Sequence, residues 1–102
     1  MSVQVMKLDR PKYSSKDLQL SLMEEMAAAA NGYIAYAGRF SVDEAAGTVT
    51  HHIELSLSPT WVATDQIRFV ALSTDRLHLS GGAVQINGML QAPHSVWKRV
   101  QW

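Results

Sequence analysis

The residues best suited to chemistry fall in two neighbouring stretches, Val49-Thr50-His51-His52-Ile53-Glu54 and Gln66-Ile67-Arg68. Alternate residues of an extended chain share a face, so His52 and Glu54 stand together on one strand, and Gln66 and Arg68 on another. If those two faces coincide, Glu54 orients His52 as a general acid or base, while Arg68 and Tyr36 stabilise an enolate or carboxylate. Such a set suits proton transfer, isomerisation or cyclisation. The competing use is a hydrogen-bond network or a solvated face carrying a Glu54 to Arg68 cross-strand pair. His51 and His52, as neighbours on a strand, point to opposite faces and cannot reach one ion. His78 and His94 sit near turns and read as exposed residues without a role. His52 and Glu54, two apart on one face, can converge on an ion with a third ligand, but without a ligand motif no metal is expected. With no phosphate-loop, dinucleotide or Gly-x-Ser-x-Gly pattern, no cofactor is expected either.

The composition sets the frame for these residues. The chain has 102 residues, nine basic and nine acidic, with no net charge and no cysteine. That length suits one domain spanning 1–102. Zero net charge removes any general attraction to nucleic acid or anionic membrane. Without cysteine there is no disulfide, thiolate nucleophile or cysteine-ligated zinc. No apolar run of about twenty residues and no secretion signal is visible, which points to a cytoplasmic protein.

The elements that must position the polar residues are mostly strands. Strands are expected over 3–8, 33–42, 48–57, 61–72, 76–80, 83–90 and 95–101, with turns at Asp43 to Gly47, Ser58-Pro59-Thr60, Ser73 to Asp75, Gly81-Gly82 and Ala92-Pro93. The exception is a helix over 22–30. Ser21 and Glu24 have capping-box spacing, four alanines favour the helix, and Asn31-Gly32 tolerates a left-handed ending. In the 48–57 strand Val49, His51, Ile53, Leu55 and Leu57 form the apolar set. In the 61–72 strand Trp61, Ala63, Asp65, Ile67, Phe69 and Ala71 form the corresponding set, less cleanly apolar, against Val62, Thr64, Gln66, Arg68 and Val70. Seven strands and one helix, with turns spaced as in a meander, describe an antiparallel mainly β domain.

The runs Gly32-Tyr33-Ile34-Ala35-Tyr36-Ala37-Gly38-Arg39-Phe40, Gly47-Thr48-Val49-Thr50-His51-His52-Ile53-Glu54, Ser58-Pro59-Thr60-Trp61 and Gln66-Ile67-Arg68 resemble the lipocalin-like domain family of small bacterial and fungal proteins. The likeness extends to Met1-Ser2-Val3-Gln4, Asp9-Arg10-Pro11, Asp75-Arg76-Leu77 and Val96-Trp97-Lys98-Arg99. The resemblance implies a lipocalin-like antiparallel β-barrel with a helix across one end. Some members lie among biosynthetic enzymes, and related barrels are cyclases or isomerases of apolar substrates. Two departures stand out. Members usually begin with about forty further residues that form additional strands, so the barrel is expected to be incomplete. Ala63 occupies a place where the family commonly has glycine.

An incomplete barrel leaves edge strands that another chain can cover, so a homo-oligomer, most simply a dimer, is expected. The leading reading is a barrel that binds a small apolar ligand, with Tyr36, Trp61 and Gln66 as binding residues. One alternative is a cofactor-free isomerase or cyclase using His52, Glu54 and Arg68. Another is an oligomeric structural protein without a ligand cavity. Trp61, Tyr33 and Phe69 also serve as ordinary packing residues, and Trp97 and Trp102 as interface anchors.

Overall fold

The computed structural model describes residues 1–17, 22–82, 84–86 and 88–100, with 84–86 described through their backbone alone. The elements are β1 (Ser2–Met6), α1 (Met23–Asn31), β2 (Tyr33–Asp43), β3 (Thr48–Ser56), a 3₁₀ turn (Pro59–Trp61), β4 (Asp65–Leu72), β5 (Arg76–Ser80), β6 (Val84–Ile86), β7 (Met89–Gln91) and β8 (His94–Lys98). The strand order is β1-β2-β3-β4-β5-β8, with β6 and β7 paired separately. The fold is mainly β with a single helix among the described residues, and its sheet is antiparallel. The chain divides into two compact units, Met1–Gly38 with Ile53–Ala63, and Arg39–His52 with Thr64–Trp102.

In the first unit β1 pairs with the start of β2 from Ser2 opposite Ala37 to Met6 opposite Tyr33. Among the described residues Ile53 is the most deeply buried large side chain, at 2% exposure, and Tyr36 is also buried. The helix begins one residue later than expected. Leu22 is its N-cap, and Glu25, in the third helical position, accepts the Leu22 amide at 3.1 Å. The same carboxylate takes the Ser14 amide at 2.6 Å and the Ser14 hydroxyl at 2.9 Å, which ties the preceding loop to the first turn. The expected Ser21 cap lies outside the described residues. At the other end Gly32 has φ −96°, not the left-handed value expected. A Cβ there would lie 2.6 Å from Arg10 Cδ, so glycine serves close approach of Arg10. That guanidinium donates to the Ala29 carbonyl at 3.3 Å and lies 5.1 Å above the Tyr33 ring. A cation at the carbonyl end of a helix complements its dipole.

In the second unit Asp43 opens the turn between β2 and β3, accepting the Gly47 amide on its carbonyl and the Ala46 amide on its side chain. Gly47 takes φ +69°, as the turn expectation required. β4 pairs with β3 and β5, and β5 with β8. β1 ends at Met6 and β8 at Lys98, each short of the expected end, and two strands depart further from the sequence reading. The expected strand over 61–72 begins only at Asp65, because Pro59–Trp61 winds into a 3₁₀ turn and Ala63 takes φ +62°. The expected strand over 83–90 is two short strands, with Ile86 opposite Met89 and Gly88 at φ +75°. The break falls at Gly88, whose positive φ suits a residue without a Cβ.

Candidate functional site

In the first unit the end of α1, the start of β2 and the segment from β3 into the 3₁₀ turn border a half-open hollow of about 360 Å³. Tyr33, Ile34, Leu57 and Trp61 supply its apolar walls, and Asn31, Ser56 and Ser58 its polar groups. The backbone fixes these walls. Leu57 donates its amide to the Ala35 carbonyl at 2.8 Å, and Trp61 donates to Ser58 at 3.1 Å. Tyr33 is held by its hydroxyl, which donates to the Gln4 side chain at 2.6 Å. The Tyr36 ring tilts against Trp61 with centroids 5.6 Å apart, setting the indole from behind. Tyr36 also faces a second hollow of about 300 Å³ with Ser2, Gln4 and Leu55, and the two hollows share Ala35, Ser56 and Leu57. Tyr36 and Trp61, singled out from sequence, are thus brought together.

The polar residues are not gathered as the catalytic reading requires. In the second unit His51 pairs with Gln66, Val49 with Arg68 and His52 with Asp65. Directly opposed residues share a face, so Gln66 and Arg68 belong to the His51 side of the sheet. His52 stands on the other side, and Glu54, which is exposed, follows it along β3 by alternation. The set His52, Glu54, Gln66 and Arg68 is therefore split between two faces. Each strand alternates as expected, but the connection between them, with its 3₁₀ turn and positive-φ Ala63, sets the relative parity. In β4 the apolar pair Ile67 and Phe69 is the exposed one, each at 55%.

His51 is buried, with only 6% of its surface exposed. Burial holds its imidazole below the ordinary value, and the Arg68 guanidinium adds to the effect. Arg68 donates to the Ile67 carbonyl at 3.0 Å, and its guanidinium lies against Gly81, where a Cβ would come within 3.3 Å. Gln66 donates to the Thr64 hydroxyl at 3.0 Å. On the opposite face His52 is bonded at both ring nitrogens, Nδ1 to Asp65 at 2.8 Å and Nε2 to Ser41 at 2.9 Å. Sequence reasoning passed over Ser41 and Asp65, because only the pairing of three strands brings them to one histidine. It also missed Ile34 and Leu57, whose alternating apolar pattern reads as ordinary core. The His78 and His94 rings meet edge to face at 5.3 Å on exposed positions of β5 and β8.

Comparison with known proteins agrees with the strand pattern. A 4'-hydroxy-3'-methoxypropiophenone carrier protein of Aspergillus oryzae is 35% identical over 107 residues, covering 98% of this chain and 96% of the relative. No solved structure matches the chain significantly. No described helix is long and apolar enough to cross a membrane. The lipocalin-like domain model matches residues 1–100, and the chain belongs to the lipocalin-like domain family.

Proposed function

We propose that this protein is a carrier of a small apolar molecule, and that the group it recognises is an aromatic ring seated against Trp61. The observation that carries this reading is the hollow of about 360 Å³ walled by Tyr33, Ile34, Leu57 and Trp61. Ligand sites span roughly 300 to 1,000 Å³ and combine apolar walls with a few polar groups. A hollow at the lower end of that range suits a compound of one or two rings. Asn31, Ser56 and Ser58 offer hydrogen-bond partners for a phenol or carbonyl at its rim. The name of the Aspergillus oryzae relative, a carrier of a phenolic ketone, supports the same ligand class.

The test is calorimetric titration of the full chain with 4'-hydroxy-3'-methoxypropiophenone and with a straight-chain ketone of equal carbon number. The aromatic compound should bind measurably tighter than the aliphatic one. Trp61→Ala should weaken its binding about tenfold, equivalent to ~1.4 kcal/mol. Trp61→Phe, which keeps a ring at the wall, should retain most of the affinity. Equal affinity for both ketones, or aromatic binding unchanged in Trp61→Ala, would refute the assignment.

A further inference from the structure

We propose that Ser41, His52 and Asp65 form an activated-serine site in the second unit, able to accept an acyl group from an activated carboxylic ester. Ser41 lies on β2, His52 on β3 and Asp65 on β4. The Ser41 hydroxyl is 2.9 Å from His52 Nε2, and the Asp65 carboxylate is 2.8 Å from His52 Nδ1. A carboxylate only accepts, so Asp65 holds the ring proton on Nδ1. The lone pair then remains on Nε2, facing the serine hydroxyl. Geometry and roles, not sequence order, define such a serine, histidine and aspartate set.

The placement also supports access. Ser41 is exposed and the His52 side chain is one-third exposed, so an ester can approach without opening a core. His52 is fixed at both ring nitrogens, which orders the pair before a substrate arrives. Arg39, two residues before Ser41 and on the same side of β2, adds a permanent cation to the face where negative charge develops. The Asp65 carboxylate is 65% exposed, so water competes with these interactions. That restricts the chemistry to esters with good leaving groups.

In the step itself the Ser41 Oγ proton passes to His52 Nε2 as Oγ bonds to the ester carbonyl carbon. The carbonyl electron pair moves to oxygen, then returns as the bond to the leaving phenolate breaks. The proton on His52 leaves to the phenolate or to solvent. Water then cleaves the acyl-serine ester, releasing the carboxylic acid and restoring Ser41. No electron is gained or lost overall, and no cofactor takes part.

The test exposes the full-length chain to p-nitrophenyl acetate. Release of p-nitrophenolate and intact mass are followed together, and the label is located by peptide mapping. One acetyl group should appear on Ser41. Where water clears it faster than it forms, the site is read as steady phenolate release above the buffer rate. Either signal should vanish in Ser41→Ala and fall about 100-fold in rate in His52→Ala. Asp65→Asn should slow the reaction while leaving the fold intact by circular dichroism, because an amide no longer selects the Nδ1 tautomer. Acetylation confined to lysines or imidazoles would overturn the proposal, as would equal Ser41 reactivity in the parent, His52→Ala and Asp65→Asn proteins. Ketone binding at Trp61 should be unchanged in Ser41→Ala, so this proposal and the carrier reading fail separately.

Discussion

Ala63 holds φ +62°, a left-handed conformation that costs an L-residue with a Cβ roughly 1–2 kcal/mol. Its amide donates to the Ile53 carbonyl at 2.9 Å, which fixes the backbone there. Glycine removes the strain but gains freedom in the unfolded chain, worth ~0.4–1 kcal/mol. Ala63→Gly should therefore stabilise the protein by about 0.5–1 kcal/mol, seen as a higher denaturant midpoint with an unchanged slope. The glycine common in the family at this position is thus explained by conformation, a requirement that strand alternation alone does not reveal. His51 supplies a second prediction. Its folded pKa lies below the unfolded value of about 6.5, so between those two values the unfolded chain binds more protons. Its contribution to stability is complete above the unfolded value and is lost as pH falls toward the folded one. His51→Leu should flatten the acid side of the stability curve in that window, whereas an unchanged slope would assign acid sensitivity to other groups. The opposite facing of His51 and His52 was legible in sequence, because adjacent strand residues cannot share a face.

At the scale of elements, most strands follow from apolar alternation and turn residues, and the departures have local causes. Asp43 and Gly47 mark the β2–β3 turn in the sequence and build it in the structure. Gly88, at positive φ between β6 and β7, marks another, but the surrounding apolar residues mask it as part of one longer strand. The helix was legible from its alanines, while its cap depends on Ser14, whose contact with Glu25 spans eleven positions of sequence. Glu25→Ala should lower the melting temperature, since it removes the acceptor shared by the Leu22 amide and both donors of Ser14. These hydrogen bonds also depress the Glu25 pKa, so the cap is fully present above the ordinary carboxylate range and is lost as pH falls through the folded value. Glu25→Gln should remove that pH dependence while retaining part of the cap. The candidate polar site was less legible than either element. Each strand's alternation is correct, but the parity between β3 and β4 is set by the link that joins them.

For the whole molecule, the strand order ends in β1 and β8, and such edges present unpaired backbone groups to another chain. Ile67, Phe69 and Val96 add exposed apolar surface to the second unit. We expect a homodimer in solution, and light scattering across a dilution series checks it: a mass near twice 11.3 kDa supports pairing, and a constant monomer mass contradicts it. The family was legible because its motifs run along almost the whole chain. The hollow was not, since Tyr33, Ile34, Leu57 and Trp61 become one wall only when α1, β2, β3 and the 3₁₀ turn are assembled. The most direct measurement of the carrier reading is calorimetric titration with 4'-hydroxy-3'-methoxypropiophenone beside the aliphatic ketone. Saturable binding that prefers the aromatic compound and weakens about tenfold in Trp61→Ala is the predicted result. The absence of binding, or binding indifferent to both the ring and Trp61, would contradict it.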